Sequence, residues 1–463
     1  LVEHHGLLAV GGDRGIGQGG GVPALHHDHL GVLRLPRDPA GVITNNFLYK
    51  FRRDDILKKV ELLAPAGNME KFKMALHYGA DAVFMGGKMF NLRAGSNNFS
   101  DEELEEAVAY AHERGKRVYV TLNIIPHNDE LEALPEYVKF LEKVGVDGVI
   151  VADLGVFQVV KENSDLNISI STQASNTNWR SVKMWKDMGA KRVVLAREIS
   201  LENIKEIREK VPDIELEVFV HGAMCMAISG RCLLSNYMTG RDANRGDCAQ
   251  ACRWKYSLVE ETRPGETMPV YEDEHGTYIF NSKDLCTIEM IDKILDAGVD
   301  SLKIEGRMKG IYYVSNCVKV YKDALNSYYS GNYEYNPEWR NELESISNRS
   351  YTEGFYHGKA GKESLNYNNR NSYSQTHKLV AKIEKKLSDN EYLVAIRNKL
   401  FVGQEVQIVS PEIKVRDFIM PEMILLDKMG RETESVESAN PNSFVKIKTD
   451  IPMNELDMLR IVL

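Results

Sequence analysis

RVYVTLNIIPHNDELEALPEYVKFLEKVGVDGVIVAD, residues 117–153, sets two short apolar runs on either side of one helical pattern. RVYVTLN (117–123) and DGVIVAD (147–153) are rich in β-branched residues and almost continuously apolar over their middles, as strands buried on both faces are. Between them ALPEYVKFLEKVG spaces its apolar residues as a helix does and stops at Gly145. Strand, covering helix and second buried strand form a unit that demands a parallel sheet.

The same beat runs outward in both directions. Strand-like segments occur at VELLAPAG (60–67), DAVFMGG (81–87), ISISTQ (168–173), RVVLARE (192–198), IELEVFVHG (214–222) and SLKIEGR (301–307). Helical spacing separates consecutive runs up to the seventh. In SDEELEEAVAYAHERG (100–115) Ser100 and Glu103 form a capping box and Gly115 closes the end. Eight such strands let a parallel sheet close on itself, so the expected fold is α/β, a TIM-like (β/α)8 barrel over residues 59–334, with an open doubly wound sheet as the alternative. Polar residues gather where the strands end, at Asn123, Asp153, Gln173, Arg197, Glu198, His221, Glu305 and Arg307, the rim at which such barrels keep their chemistry.

The rhythm breaks between the seventh and eighth strands. An insertion spanning 222–300 carries a cysteine cluster and one extra strand expected in TYIFNSKDL (277–285). A helix, YYVSNCVKVYKDALNSYYSG, follows strand eight and ends at Gly331. Residues 335–377, rich in Asn, Ser, Tyr and Gly, read as an irregular connector. HKLVAKIEKKL, EYLVAIRN, EVQIVS, SFVKIKT and MLRIVL then predict a small C-terminal β-barrel or sandwich over 378–463.

Residues 1–58 stand apart. They are Gly-rich, hold five of the twelve histidines (His4, His5, His26, His27, His29) and lack strand or helix periodicity, so they read as disordered or as an extension foreign to the fold. Gly15, Gly17 and Gly20 spell GxGxxG, but no strand precedes them and no helix follows, which argues against a dinucleotide site. HHDH reads as a polar tail before it reads as a metal site.

Bulk properties bound the function. The chain has 463 residues, 43% of them hydrophobic and 27% charged, with a formal net charge of -9. A nucleic-acid partner must therefore meet a local basic patch rather than a global field. No apolar run of about 18 residues and no signal-peptide pattern is present, so a cytoplasmic location without membrane contact is expected. In a reducing compartment, clustered cysteines bind metal or do redox chemistry more often than they form disulfides.

Cys225, Cys232, Cys248 and Cys252 are separated by six, fifteen and three residues, and Cys286 follows after 33 more. Only Cys248 and Cys252 have the close spacing of a zinc pair, whereas an iron-sulfur cluster accepts looser convergence of thiolates. Cys317 sits among apolar residues of the last barrel helix and reads as core. No C-x-x-C redox pair, HExxH zinc helix or GxSxG elbow occurs; the remaining hydrolytic engine is Cys225 activated by His221 four residues earlier.

Residues 217–235 read EVFVHGAMCMAISGRCLLS, matching the pattern E-x-F-x-x-G-A-M-C-x4-G-x-C-x-L-S through Glu217, Phe219, Gly222, Ala223, Met224, Cys225, Gly230, Cys232, Leu234 and Ser235. Together with ELLAPAGN (61–68), NRGDCAQACRW (244–254), NSKDL (281–285) and SLKIEGRMK (301–309), this stretch resembles the peptidase U32 family over roughly 60–460. The family was first labelled collagenase-like peptidase. Its better understood bacterial members are oxygen-independent hydroxylases bearing a [4Fe-4S] cluster, acting on transfer RNA wobble uridine, on ribosomal RNA or on quinone precursors, in some cases with a partner subunit of the same family. A U32 barrel joined to this C-terminal module most resembles the members that make 5-hydroxyuridine in tRNA. The resemblance implies cluster ligands at Cys225, Cys232, Cys248 and Cys286, with Cys252 as alternative fourth ligand, and prephenate as the small dicarboxylate that supplies the hydroxyl group.

On that reading Arg197 and Arg307 are candidate clamps for a dicarboxylate or phosphate, since a guanidinium fork matches both. Asp153, Glu198 and Glu305 would relay protons or orient those arginines, and His221 would transfer a proton near neutral pH. RNA contact is expected from the connector, where Tyr351, Phe355, Tyr356, Tyr367 and Tyr373 interleave with Arg349, Lys359, Lys362 and Arg370. Peptidase activity is the alternative function.

Overall fold

The structure, a computed structural model, describes residues 59–91, 98–224, 234–241, 243–245, 247–251, 271–273, 276–278, 283–358 and 373–463. The N-terminal stretch 1–58, with its glycine pattern and histidines, and the cysteines Cys225, Cys232 and Cys252 lie outside them.

Eight parallel strands close on themselves. They are β1 (Glu61–Pro65), β2 (Ala82–Met85), β3 (Arg117–Leu122), β4 (Gly148–Val151), β5 (Ile168–Ile170), β6 (Arg192–Val194), β7 (Glu215–Ala223) and, past a hairpin β8 (Tyr271–Asp273) and β9 (Gly276–Tyr278) and an added strand β10 (Asp284–Cys286), β11 (Ser301–Ile304). β11 pairs with both β1 and β7, which closes the barrel and rules out the open sheet. The extra strand forms at the end of its expected stretch: β10 runs antiparallel to β7, with Cys286 opposite His221.

Helices cover the strands where spacing placed them. Those used below are α1 (Met69–His77), α2 (Asp101–His112), α3 (Leu134–Val144), α4 (Leu154–Asn163), α5 (Trp179–Met188), α6 (Leu201–Lys210) and α7 (Ile311–Tyr329). The Ser100–Glu103 capping box is formed on α2. α3 ends at Gly145, whose φ of +86° puts it in the left-handed region that a side chain disfavours.

Inside the barrel the side chains form two layers of different character. Leu63, Ala82, Phe84, Tyr119 and Ile150 make an apolar plug. At the strands' N-terminal ends lies a buried ionic floor. Arg192 donates to Glu61 at 2.6 Å, Glu217 at 3.0 Å and Glu215 at 2.8 Å, Lys303 donates to Glu217 at 2.6 Å, and Arg117 reaches Glu61 at 2.6 Å. Burial works against an ionised Glu217, yet Lys303 and Arg192 outweigh it and hold the carboxyl below the usual range.

The connector is more ordered than its composition suggests. Pro337–Glu344 is a helix, capped by the Asn336 side chain and burying Trp339 and Leu343 one turn apart. β12 (Tyr351–Thr352) pairs with β10 at the barrel's sheet. Arg349 and Tyr356, read from sequence as RNA contacts, are instead buried: Arg349 pairs with Asp284 at 2.6 Å, and the Tyr356 hydroxyl donates to the Phe219 carbonyl at 2.6 Å. Tyr373 is exposed, whereas Lys359, Lys362, Tyr367 and Arg370 lie outside the described residues.

The C-terminal module is an eight-stranded antiparallel sheet. Its strands β13 (His377–Lys386), β14 (Glu391–Ile396), β16 (Glu405–Val409), β17 (Arg416–Ile419), β18 (Met423–Leu426), β19 (Glu432–Val436), β21 (Phe444–Lys448) and β22 (Met458–Val462) lie in the order β17-β16-β22-β13-β14-β21-β18-β19. A two-stranded ribbon, β15 (Leu400–Phe401) with β20 (Ser438–Ala439), lies beside it. The module is fastened to the barrel by Arg460, which reaches Glu342 at 2.7 Å and the Tyr312 hydroxyl at 3.0 Å, and by the Tyr78 hydroxyl on the Val409 carbonyl at 2.7 Å.

Asp457 is the module's costly group. It is fully buried, one oxygen accepting from the Asn454 N–H at 2.9 Å while the other has no partner among the described residues. Burial pushes its carboxyl up to about 6, against the pull of that N–H and of Arg416. A raised carboxyl favours the folded state below the ordinary Asp value, and that contribution is lost as pH rises through 6. Asp457→Asn is therefore expected to be more stable than the parent by about 2 kcal/mol at pH 8 and no more stable at pH 4, read from urea midpoints.

Candidate active site

The C-terminal ends of the barrel strands bring two arginines to one rim. Arg197, just past β6, has its guanidinium 3.7 Å from the Phe219 ring centroid and 3.9 Å from the Glu305 carboxylate. Arg307, past β11, is 4% exposed and donates to Asn98 at 2.7 Å and to Asn91 and Thr121 at 3.4 Å each. Its carbonyl accepts from Lys71 at 3.3 Å. Burial, and to a smaller extent Arg307, lower the Lys71 ammonium, while Glu70 works the other way. Asn123 donates to Gln173 at 2.9 Å across the same rim. Arg307 is thus anchored by two amides and a hydroxyl and Arg197 by a ring face and a carboxylate, and a guanidinium fork is a donor pair that matches planar oxyanions.

Sequence reading missed Asn91, Asn98 and Thr121 as the anchors of Arg307. The signal was available in the asparagine-bearing loop that follows β2. It also missed Asn176, which is fully buried with neither side-chain amide atom partnered among the described residues.

Of the other expected residues, Asp153 and His221 are placed differently. Asp153 is the N-cap of α4, its side chain accepting from the Gly155 N–H at 2.8 Å and the Val156 N–H at 3.1 Å. That work is structural. Glu198 stays at the rim, half-buried beside Arg197.

His221 faces away from the arginines. Glu217 and Phe219 contact Lys303 inside the barrel, but the register between β7 and β11 shifts after Lys303, so that Ile304 pairs with His221 and Val220 is skipped. The bulge turns the next side chain to the opposite face. There His221 is 0% exposed, 5.3 Å to 5.7 Å from the rings of Tyr313, Tyr321 and Tyr351, with neither ring nitrogen partnered among the described residues. Burial drives its pKa down to about 3, with Asp284 opposing and Lys309 and Arg340 assisting, so the ring is neutral at physiological pH. Beyond it Gly222 needs its lack of a Cβ: φ is +114°, and a Cβ would meet the Glu305 carbonyl oxygen at 2.5 Å. That close crossing brings Glu305 to the rim.

Among the cysteines, Cys286 shares the face of His221. It is buried, its sulfur accepts a long contact from the Tyr321 hydroxyl at 3.9 Å, and burial pushes its thiol up to about 11. Cys317 is buried core close enough to feel Cys286. Cys248 is half-buried, and the Gln250 N–H points to its sulfur at 3.4 Å. Soft thiols with N–H and O–H donors on their sulfurs are the donor chemistry of an iron-sulfur group. Among the described residues no three His, Cys, Asp or Glu side chains converge on one point.

Comparison with known proteins follows the two-part architecture. Residues 67–366 match the family described as Peptidase family U32, and residues 375–460 match the Peptidase family U32 C-terminal domain. The chain is 41% identical over 409 residues to the tRNA hydroxylation protein P1 of Bacillus subtilis (strain 168), covering 88% of this chain and 95% of that protein. It is 39% identical over 394 residues to the tRNA hydroxylation protein P of Escherichia coli (strain K12), covering 76% and 87%. A protein named Collagenase from Porphyromonas gingivalis (strain ATCC BAA-308 / W83) is 32% identical over 312 residues, covering 65% of this chain and 74% of that one.

Proposed function

The chain belongs to peptidase family U32, and from that premise we propose that it is a tRNA-modifying hydroxylase that converts wobble uridine to 5-hydroxyuridine. The observation that carries the reading is the likeness to tRNA hydroxylation proteins across both the barrel and the C-terminal module. Replacing C–H by C–OH removes two electrons from the base and adds one oxygen atom. Without dioxygen, both demands fall on a donor molecule, for which prephenate, a dicarboxylate, is the candidate. Arg197 and Arg307 suit such an anion: each is a rigid fork already held in place, Arg307 by Asn98, Asn91 and Thr121, Arg197 by Phe219 and Glu305. Glu305 then limits how much negative charge the pocket tolerates beside Arg197.

Cys225, Cys232, Cys248 and Cys286 would hold a [4Fe-4S] cluster, with Cys252 as alternative to Cys286. The cluster would supply one-electron transfer when bound. The tyrosine hydroxyl on Cys286 and the backbone N–H on Cys248 would stabilise their thiolate forms. Among the described residues no helix is long and apolar enough to cross a membrane, and a tRNA substrate would be met in the cytoplasm.

Hydrolysis is less well supported. The sequence offered His221 as activator of a cysteine, but that ring lies in an aromatic layer, fully buried and reluctant to take a proton. A general base needs the reverse on both counts.

Nucleoside mass spectrometry of total tRNA from a strain lacking the gene tests the proposal. Loss of 5-hydroxyuridine, restored by the parent gene and not by Arg307→Ala, is expected. Intact 5-hydroxyuridine in the deletion strain overturns it.

A further inference from the structure

The barrel rim and the C-terminal module meet along a groove of about 520 Å³. Lys71 on α1, Lys309 ahead of α7, Lys378 on β13 and Arg397 just past β14 line it, against one carboxylate, Glu70. Glu70 is already shared by Arg397 and Lys382. Lys71, Lys309 and Lys378 form no ion pair among the described residues; Lys71 donates one N–H to the Arg307 carbonyl, and Lys309 donates to the Ser347 carbonyl at 3.5 Å and lies between aromatic rings, 5.1 Å from Tyr313 and 5.3 Å from Tyr373.

Three further facts shape what fits there. The chain is acidic overall, so an excess of unpaired lysines is a local feature rather than background. Gly310, in the groove wall, is the N-cap of the 19-residue helix α7 and supplies no side-chain cap, and the first-turn residues Ile311, Tyr312 and Tyr313 line the same groove. Tyr373 is 47% exposed beside Lys309, a ring face next to an unneutralised cation.

Resting on the RNA-hydroxylase reading above, we propose that this groove binds the phosphate backbone of the substrate RNA, with Tyr373 as a stacking face for one of its bases. Cations without carboxylate partners, interleaved with an exposed aromatic ring, are what single-stranded nucleic acid requires. A small anion would need one tight cradle; here the cations are spread along a wall contributed by two domains. Lys71 ties the groove to Arg307, so RNA held there passes beside the barrel rim. The barrel supplies the chemistry and the junction with the module supplies the grip.

The test uses the purified full chain and a fluorescein-labelled 17-nucleotide anticodon stem-loop RNA carrying unmodified uridine at the wobble position, followed by fluorescence anisotropy across a salt series. Lys309→Glu/Lys378→Glu is expected to weaken binding more than tenfold and to make the salt dependence of log Kd shallower by about 1 to 2, because each lost phosphate contact removes somewhat under one unit of slope. Tyr373→Ala is expected to weaken it about fivefold. Lys143→Glu/Lys205→Glu, exposed positions on α3 and α6 outside the groove, is expected to stay within twofold. Binding by the groove variant within twofold of the parent, or an equal loss in the control, overturns the proposal. Should the double variant fail to fold, Lys378→Glu alone, on an exposed strand position, carries the test with an expected threefold loss, and parental binding overturns it. The deletion-strain nucleosides score the hydroxylase reading separately, so a groove variant that binds normally beside a strain that lacks 5-hydroxyuridine refutes the groove alone.

Discussion

Glu217→Ala is expected to lose about 3–5 kcal/mol of folding stability, seen as a large fall in the urea midpoint without a change in its slope. The carboxylate is 1% exposed and is the shared acceptor of Lys303 and Arg192. Removing it strands two cations inside the barrel, where neither water nor another carboxylate replaces it fully, although Glu61 retains Arg192. Lys303, whose ammonium otherwise lies over the Phe84 ring, is the group left worst off. Glu217→Ala/Lys303→Met should therefore recover much of the loss, because replacing both partners of a buried pair by apolar groups is often near neutral. The pH dependence has a definite sign. Glu217 is held below its ordinary range, so its contribution is complete above the unfolded carboxyl value and disappears as pH falls through the folded one. Acidification below about 4 should destabilise the parent more than Glu217→Gln. Were Glu217, which belongs to the most distinctive stretch of the chain, a catalytic group instead, the alanine variant would keep its stability and lose only activity.

That ionic floor marks the limit of sequence reading. The strands were legible because fully buried parallel strands read as apolar runs, and the helices because caps such as Ser100 with Glu103 and stops such as Gly145 punctuate them. Glu61, Arg192, Glu217 and Lys303 were passed over because each is one polar residue at the edge or middle of an apolar run, and its partner lies on another strand. Only barrel closure brings them together. The rim positions of Arg197, Glu305 and Arg307 were legible from their places after strands. Asp153 was misread although the signal was present: an Asp directly before a helical pattern is a cap first. His221 could not have been read correctly, since a one-residue register shift between β7 and β11 decides which face it takes, and nothing local in IELEVFVHG announces it. Arg349 and Tyr356 in the connector were misread for a third reason. Alternating aromatic and basic residues look alike whether they face solvent or pack against the barrel, and Arg349, Tyr356 and Trp339 bond to Asp284, Phe219 and Asp323 there.

Arg349→Ala carries that distinction to the bench, with an expected loss of about 3–5 kcal/mol in stability and no loss of RNA affinity beyond what unfolding explains. Its guanidinium donates twice to one Asp284 oxygen, at 3.1 Å and 2.6 Å, while its own N–H reaches the other oxygen at 3.2 Å. Both side chains are nearly inaccessible. The pair fixes the place where β12 joins β10, and β10 ends at Cys286 and lies against β7 at Gly222 and His221. Truncating the arginine leaves an uncompensated carboxylate under the aromatic layer, whereas Asp284→Leu/Arg349→Met removes both charges and should restore most of the stability. A double-mutant cycle in urea measures the coupling, and anisotropy with the anticodon stem-loop measures affinity on the same proteins. If Arg349 gripped phosphate, the single variant would keep its urea midpoint and lose binding with a shallower salt slope. The burial of both partners favours the opposite result, and with it a connector that braces the cysteine-bearing strand β10.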